Sequence, residues 1–284
     1  MTRTLETDSF ILALRRFVAR RGNVRSIRCD NGSNFVGAES ELEKAVQEMD
    51  NSKIKHHLLS QGTDWIEWKR NPPLASHMGG VWARQIRSAR AVLSSLLKTH
   101  SHSLDEEALN TLFTEVEAIV NSRPLTVETI NDVNSEITLS PSKLLTMKSK
   151  VVMPPPGDFG PPNIYSKRRW RKVQHISNDF WSRWRKEFLT TLQERQKWIR
   201  NRRNFAVGDI VILKQDCHRN DWQLAKIIKI YPDDNGRVRV VQLYIGVSDT
   251  KGLCSRVLMR PIDKIVLLVE SRDDVRSPTR EPYK

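Results

Sequence analysis

Lys167-Arg-Arg-Trp-Arg-Lys172 sets five cations around one indole, and Arg200, Arg202 and Arg203 follow further along. Cations at this density neutralise phosphates. Aromatics beside them can stack on bases, and Trp170, Trp181, Trp184 and Trp198 are interleaved with these charges. The same tryptophans, with Val173, Phe188 and Leu192, also recur at three- and four-residue intervals, the spacing of an apolar helix stripe. Other familiar chemistry is excluded. Cys29, Cys217 and Cys254 are far apart and form no C-x-x-C pair. That argues against a disulfide scaffold and suits a reducing compartment. His56-His57 and His100-Ser-His102 lack the paired cysteines of a zinc site and read as surface histidines.

The chain has 284 residues, with 47 Lys+Arg against 33 Asp+Glu, a net charge of +14. Residues 161–215 carry +10 of it, from 14 Lys/Arg and 4 Asp/Glu. A localised surplus of this kind implies a polyanionic partner, most simply nucleic acid. With 38% hydrophobic and 28% charged residues, the composition is that of a soluble globular protein of one or two domains. No apolar run approaches the roughly 18 residues of a membrane span, and the N-terminus lacks the apolar stretch of a signal peptide.

The periodicity predicts a helix over 7–21, capped by Thr7 or Asp8 and ended by Gly22, then a strand over 24–29. Asp30-Asn-Gly-Ser-Asn34 reads as a turn, because Asn-Gly tolerates positive φ. A helix over 39–49 and extended pieces at 54–59 and 65–69 follow. A long helix is expected from Val81. Another is expected after the capping box Ser103-Leu-Asp-Glu106, stopped by Arg123-Pro124, and a short one begins at Ser140-Pro141. Pro154-Pro-Pro156 and Pro161-Pro162 mark 151–162 as a linker without regular structure. The basic helix spans roughly 165–200. Beyond it, β-rich runs at 207–213, 224–231, 238–245 and 262–268 suggest a small barrel of four or five strands. The tail, 271–284, is too polar to fold.

Several of these strings, in this order, resemble retroelement integrases of the Bel/Pao type. Ile27-Arg-Cys-Asp30-Asn-Gly-Ser-Asn-Phe35 is similar to the family's second catalytic strand. Trp68-Lys-Arg-Asn-Pro-Pro-Leu-Ala-Ser-His-Met-Gly-Gly-Val-Trp82 resembles the segment leading into the helix of the third catalytic residue. Glu115–Thr126 and Leu139–Leu144 look like the end of that core. Val207-Gly-Asp-Ile-Val211, Trp222–Tyr231 and Gly236–Val241 look like the small domain that follows. The resemblance runs to about residue 269. It implies a ribonuclease H-like α/β core, polynucleotidyl transfer by an Asp-Asp-Glu triad, DNA as partner, a multimeric state and a nuclear location. In that mechanism two Mg²⁺ or Mn²⁺ ions, about 3.5–4 Å apart, clamp an in-line displacement at phosphorus. Hard cations require oxygen ligands, which is why the triad is carboxylate.

On this alignment Asp30 matches the second carboxylate and is the one catalytic and metal-ligand candidate. The third is absent: Ala83 occupies the position expected to hold Glu, and a methyl group cannot ligate a metal. Glu67 lies on the preceding extended piece. The first carboxylate's strand is not found, and Asp8 is explained as a helix cap. The expected domains are therefore an N-terminally truncated integrase core over 1–150, a Pro-rich linker and basic helix over 151–204, an SH3-like β-barrel over 205–270, and a disordered tail over 271–284. The fragment 205–270 is expected to fold by itself and 1–150 poorly. Catalysis is expected to be lost. DNA binding is expected to rest on Lys167, Arg168, Arg169, Arg171, Lys172, Arg200, Arg202 and Arg203. Two alternatives stand beside this: a DNA- or chromatin-binding adaptor that uses Trp222 and Tyr231 in a groove, or a decayed gene fragment.

Overall fold

In the computed structural model, residues 4–22, 24–47, 66–72, 80–100, 104–127, 138–148, 153–165, 167–193, 203–249 and 252–271 are described. The chain divides into two compact units, Met1–Arg87 and Ser88–Lys284.

The first unit begins with α1 (Thr7–Arg21), β1 (Ser26–Cys29), α2 (Ser33–Gln47) and β2 (Glu67–Arg70). β1 and β2 pair in parallel, Ser26 opposite Glu67 and Cys29 opposite Arg70. Parallel strands need a crossover between them, and α2 lies in that connection. The N-cap of α1 is Glu6, without a side-chain cap bond, and not Thr7 or Asp8. Thr7 has another use. A methyl group added at Gly37 would collide with its side chain, so α1 and α2 cross where Gly37 lacks one. Phe10 lies edge-on to Phe35 at 4.8 Å and tilted to Trp68 at 6.2 Å. Cys29 and Ala38 are buried, yet α1 buries no residue, and Leu12 and Phe17 are about half exposed.

Helix α3 (Gly80–His100) continues into the second unit, followed by α4 (Glu106–Asn121), α5 (Pro141–Thr146) and α6 (Arg169–Leu192). The cap of α4 is Asp105, whose Oδ1 accepts the Ala108 N–H at 2.9 Å; the expected Ser103 lies outside the described residues. Glu106 and Glu107 then face the positive end of the helix dipole. Val92 and Leu96 of α3, Leu112, Val116 and Ile119 of α4, and Val173, Ile176, Phe180, Trp184 and Phe188 of α6 form one core. That core joins helices from both sides of the boundary expected at residue 150. The Pro-rich segment is docked on it as well. Phe159 is buried, its carbonyl lies 2.7 Å from His175 Nδ1, and Pro161–Tyr165 forms a 3-10 turn.

Five antiparallel strands follow: β5 (Ile210–Leu213), β6 (Leu224–Pro232), β7 (Val238–Asp249), β8 (Gly252–Pro261) and β9 (Ile265–Val269). A short pair, β3 (Thr126–Val127) and β4 (Thr138–Leu139), precedes them as a separate two-stranded ladder. The order across the large sheet is β8-β7-β6-β5-β9. Leu258 and Ile265, from opposite edges, share one apolar cluster with Val211, Ile227, Val241 and Leu243, so the sheet curls over its own core. No ladder joins β8 to β9 among the described residues, and the sheet is open where the sequence suggested a closed barrel. Its second face is not solvated throughout. Ile212 and Val266 pack against Leu189 of α6, with Leu192, Trp222 and Leu224 around them.

Candidate functional site

Asp30 follows the last residue of β1, at the carboxyl end of a parallel β–α–β arrangement. In open α/β sheets this is the edge at which ligands bind. The local sequence explains its position. Asp30 Oδ1 accepts the Gly32 N–H at 3.0 Å, turning the chain into α2. Asn31 Nδ2 donates to the Asn71 carbonyl at 3.1 Å, and the Asn71 N–H donates to the Cys29 carbonyl at 3.0 Å. The carboxyl ends of the two strands are thereby tied together. Burial pushes the neighbouring Cys29 thiol up from its ordinary value.

The remaining described donors do not complete a metal centre. Ala83 is exposed in the first turn of α3 and has no ligating atom. Glu67 opens β2, opposite Ser26, whereas Asp30 follows Cys29 at the far end of the same ladder. Three residues of strand separate the two ends, about 10 Å, so Glu67 cannot share an ion with Asp30. Glu67 also pairs with Lys69 at 3.0 Å. Among the described residues no three His, Cys, Asp or Glu side chains are grouped so as to hold a metal ion. The described residues therefore do not fit the two-metal centre that the resemblance implies.

The basic segment is divided by the fold. Lys167 and Arg168 are exposed just before α6, and Lys172 is half-buried in its first turn. The 24-residue helix begins at Arg169 without a side-chain cap on its first N–H groups. Cations stacked on a positive helix end oppose the dipole, and an anion there relieves both. Arg169 has protein partners: Asp105, and Glu107 at 3.4 Å. The Ala108 N–H and Arg169 together hold the Asp105 carboxyl below its ordinary value, and Asp105 raises the guanidinium of Arg169. Arg171 lies over the Trp170 ring at 5.4 Å and donates to Asn163 at 3.4 Å. Arg203 forks onto both oxygens of Asp209, at 3.0 and 3.2 Å. Asp209 is fully buried and also accepts the N–H groups of Ala206 and Ser271, each at 2.9 Å. Arg203 thus neutralises a buried carboxylate that ties the start of the sheet to its end. Arg200, Arg202 and Trp198 lie outside the described residues.

Of the interleaved aromatics, Trp181 and Trp184 are buried and cannot stack on bases; Trp170 is 46% exposed. Trp222 is no groove residue either. It meets Trp181 at 4.9 Å, Phe188 at 5.5 Å and Trp184 at 6.1 Å, all edge-on. Its Nε1 donates to Ser122 at the end of α4, 3.1 Å away.

A second basic and aromatic surface lies on the sheet. Lys226 is opposite Tyr244, Lys229 opposite Gln242 and Tyr231 opposite Val240. Residues directly opposite share a face. An irregularity between Ile227 and Lys229 returns Lys229 to the face of Lys226. Lys229 Nζ sits 5.2 Å from the centre of the Tyr231 ring. Val257 and Met259, about half exposed, border this face on β8. The sequence reading singled out Tyr231 but not the lysines. The signal was the i, i+3, i+5 spacing of Lys226, Lys229 and Tyr231, which a straight strand divides between two faces.

The loop between β5 and β6 is docked on the helices. Arg219 is buried, its Nη2 donating to Gln174 Oε1 at 2.5 Å and lying 3.5 Å from Glu115 Oε2. Gln174 Nε2 donates to Glu115 at 2.9 Å. Burial lowers the pKa of Arg219 and raises that of the Cys217 thiol, which donates to the Asp221 carbonyl at 2.7 Å.

Among curated proteins, none matches the chain. Residues 168–268, from the cap of α6 into β9, match a family model described as a family of unknown function (DUF5641). That stretch unites the helix and the sheet that Trp222 and Leu189 join, and it crosses the boundary expected at residue 204.

Proposed function

We propose that this chain is a retroelement-derived, integrase-like protein that binds nucleic acid and no longer transfers strands. The observation that carries the reading is the carboxyl end of β1. It offers Asp30 where a catalytic carboxylate of an integrase core would stand, while Ala83 replaces the third. The match over 168–268 adds support, since that family is commonly found in retrotransposon-derived proteins. The ribonuclease H-like ancestry of the first unit and the SH3-like character of the sheet belong to this proposal. So do DNA as partner, self-association and a nuclear location.

Binding rests on phosphate neutralisation by the start of α6 and by the sheet face of Lys226 and Lys229, with Trp170, Tyr231 and Tyr244 as stacking surfaces. The test is duplex binding by the full chain across a salt series. Each phosphate contact contributes a log–log slope of about −0.9. Reversing Lys167, Arg168 and Lys172 to Glu should weaken binding and flatten that slope by two to three units, about one per cation. Unchanged affinity and slope in this variant would refute the assignment. The exposed apolar pair Val257 and Met259 favours a second reading, a protein-binding adaptor. Its complexes would persist at high salt, because apolar contacts are not screened.

A further inference from the structure

β6, β7 and β8 lie side by side and turn one continuous face outward. Its rows follow from the registers. Lys226, Tyr244 and Val257 stand in one row, Lys229, Gln242 and Met259 in the next, and Tyr231, Val240 and Pro261 in the third. The residues between these rows, among them Ile227, Val241, Leu243 and Leu258, belong to the core on the other side. Neighbouring strands are about 4.8 Å apart and same-face residues along a strand about 7 Å apart, so the face is about 10 Å wide and 14 Å long.

Its chemistry is graded from strand to strand. β6 brings the cations, and β8 brings apolar side chains, Val257 at 48% and Met259 at 54% exposed. Tyrosines stand on the inner two strands. Lys229 is exposed, and its Nζ lies 5.2 Å from the centre of the Tyr231 ring, whose hydroxyl donates to Gln242 Oε1 at 3.4 Å. These contacts fix the ring on the face. No Asp or Glu stands in any of the three rows. Asp233, in the turn that follows β6, is held by Arg239 at 3.2 Å.

That gradient selects among ligands. A duplex shows its phosphates outward and keeps its bases stacked inside, so it would set charge against Val257 and Met259. An acidic apolar peptide would suit the lysines and β8 but would leave the tyrosine rings without a planar partner. A single strand carries both halves side by side, phosphates on one edge and base faces on the other. Sheets stack two or three unpaired bases on aromatics in this way, and three rows give room for that number. Every base has a π-face, so such binding tolerates any sequence.

We propose that the outer face of β6–β8 binds a single-stranded nucleic acid, its phosphates along Lys226 and Lys229 and its bases over Tyr231, Tyr244, Val257 and Met259. This rests on the nucleic-acid reading and narrows it, since the sheet takes an unpaired strand.

The full chain is titrated by fluorescence anisotropy with three labelled probes. They are an oligothymidylate of about 12 nucleotides, within the usual site size, an abasic deoxyribose-phosphate strand of that length, and the matching duplex. The thymidylate should bind at least about fivefold tighter than the abasic strand, the effect of one stacked base. Tyr231→Ser should abolish that preference without changing abasic or duplex affinity, and Tyr231→Phe should keep it. Val257→Ser/Met259→Ser should reduce the preference at least about twofold. Both of its positions are about half exposed, so it keeps the test valid if Tyr231→Ser unfolds. Lys229→Glu should weaken the thymidylate and flatten its salt slope by about 0.7. Equal binding of thymidylate and abasic strands, or a preference that the serine variants retain, overturns the proposal, leaves the nucleic-acid reading standing and gives the face to an acidic apolar peptide. Failure of all the probes to bind overturns the nucleic-acid reading and this proposal with it.

Discussion

Replacing Trp222 with Ala should loosen the helices and the sheet together. The indole touches Trp181, Trp184 and Phe188 of α6, lies under Arg185 at 5.8 Å, and donates to Ser122 of α4. Trp→Ala in a core costs about 3–5 kcal/mol. Trp222 is part-buried, which moves the cost to the lower half of that range. Edge-on aromatic pairs add about 0.5–1.5 kcal/mol each beyond area, but they overlap with the same deletion. A loss of about 3–4 kcal/mol follows, a large part of the 5–15 kcal/mol that stabilises a typical domain. Trp222→Phe should lose only about 1 kcal/mol, for the Ser122 bond, since it keeps most of the ring packing. Amide hydrogen exchange on the full chain reads this directly. In Trp222→Ala, amides of α4 and of β5 and β9 should lose protection by equal free energies, because the helices and the sheet share the cluster around Trp222. If the β5 and β9 amides keep their native protection while α4 loses it, the sheet is an autonomous domain and the reasoning fails.

Asp209→Ala should destabilise the chain by about 3–5 kcal/mol, since it strips a buried carboxylate from Arg203 and two backbone donors; scanning calorimetry measures it. The Asp105 carboxyl is held below its ordinary 3.8, so its stabilising effect is present above that value. It is lost as pH falls from about 3.8 through the lower folded value, and urea midpoints of Asp105→Asn should be flatter with pH over that window. Ala83→Glu should produce no strand transfer with Mg²⁺ or Mn²⁺, because Asp30 and the introduced carboxylate still lack a third ligand; product formation in a gel assay would contradict this.

Much of the fold is legible in the sequence where one rule acts alone. α5 follows from its Ser140 cap and α1 and α4 from periodicity, while β1 and β2 follow from two short extended runs, though not their parallel pairing. α2 begins at Ser33, ahead of the expected start, because the Asp30–Gly32 turn leads straight into it. The cap of α4 is one reach closer than the Ser103 box, since Asp105 already accepts the Ala108 N–H. β8 lies outside the β-rich runs because its Arg and Ser residues dilute the pattern, and the ladder with β7 pairs it from Asp249–Gly252 to Val240–Pro261. The Pro-rich segment, expected as a linker, is docked for a physical reason. Proline density marks a segment that cannot be a helix, but not whether it is a free linker. Here Phe159 and the His175 contact fasten it to α6.

The candidate binding site shows the same limit, with a measurable consequence. A count of cations along the chain gives eight phosphate contacts, and thus a salt slope near about −7. The fold sets Arg169 on Asp105 and Glu107, Arg171 on Trp170 and Asn163, and Arg203 on Asp209. A guanidinium already matched to a carboxylate releases little counterion on binding a phosphate, because its charge was not available to the strand. Taking the two carboxylate-matched arginines, Arg169 and Arg203, out of the eight leaves six and a slope of about −5 on duplex DNA. A slope near −7 would mean that the ion pairs open to receive the strand. In that case Asp105→Asn would strengthen binding by releasing Arg169. A slope that flattens by about one unit in Lys229→Glu would place the strand across the sheet as well as the helix end. A slope of zero would leave the protein-binding reading, with Val257 and Met259 as its contact surface.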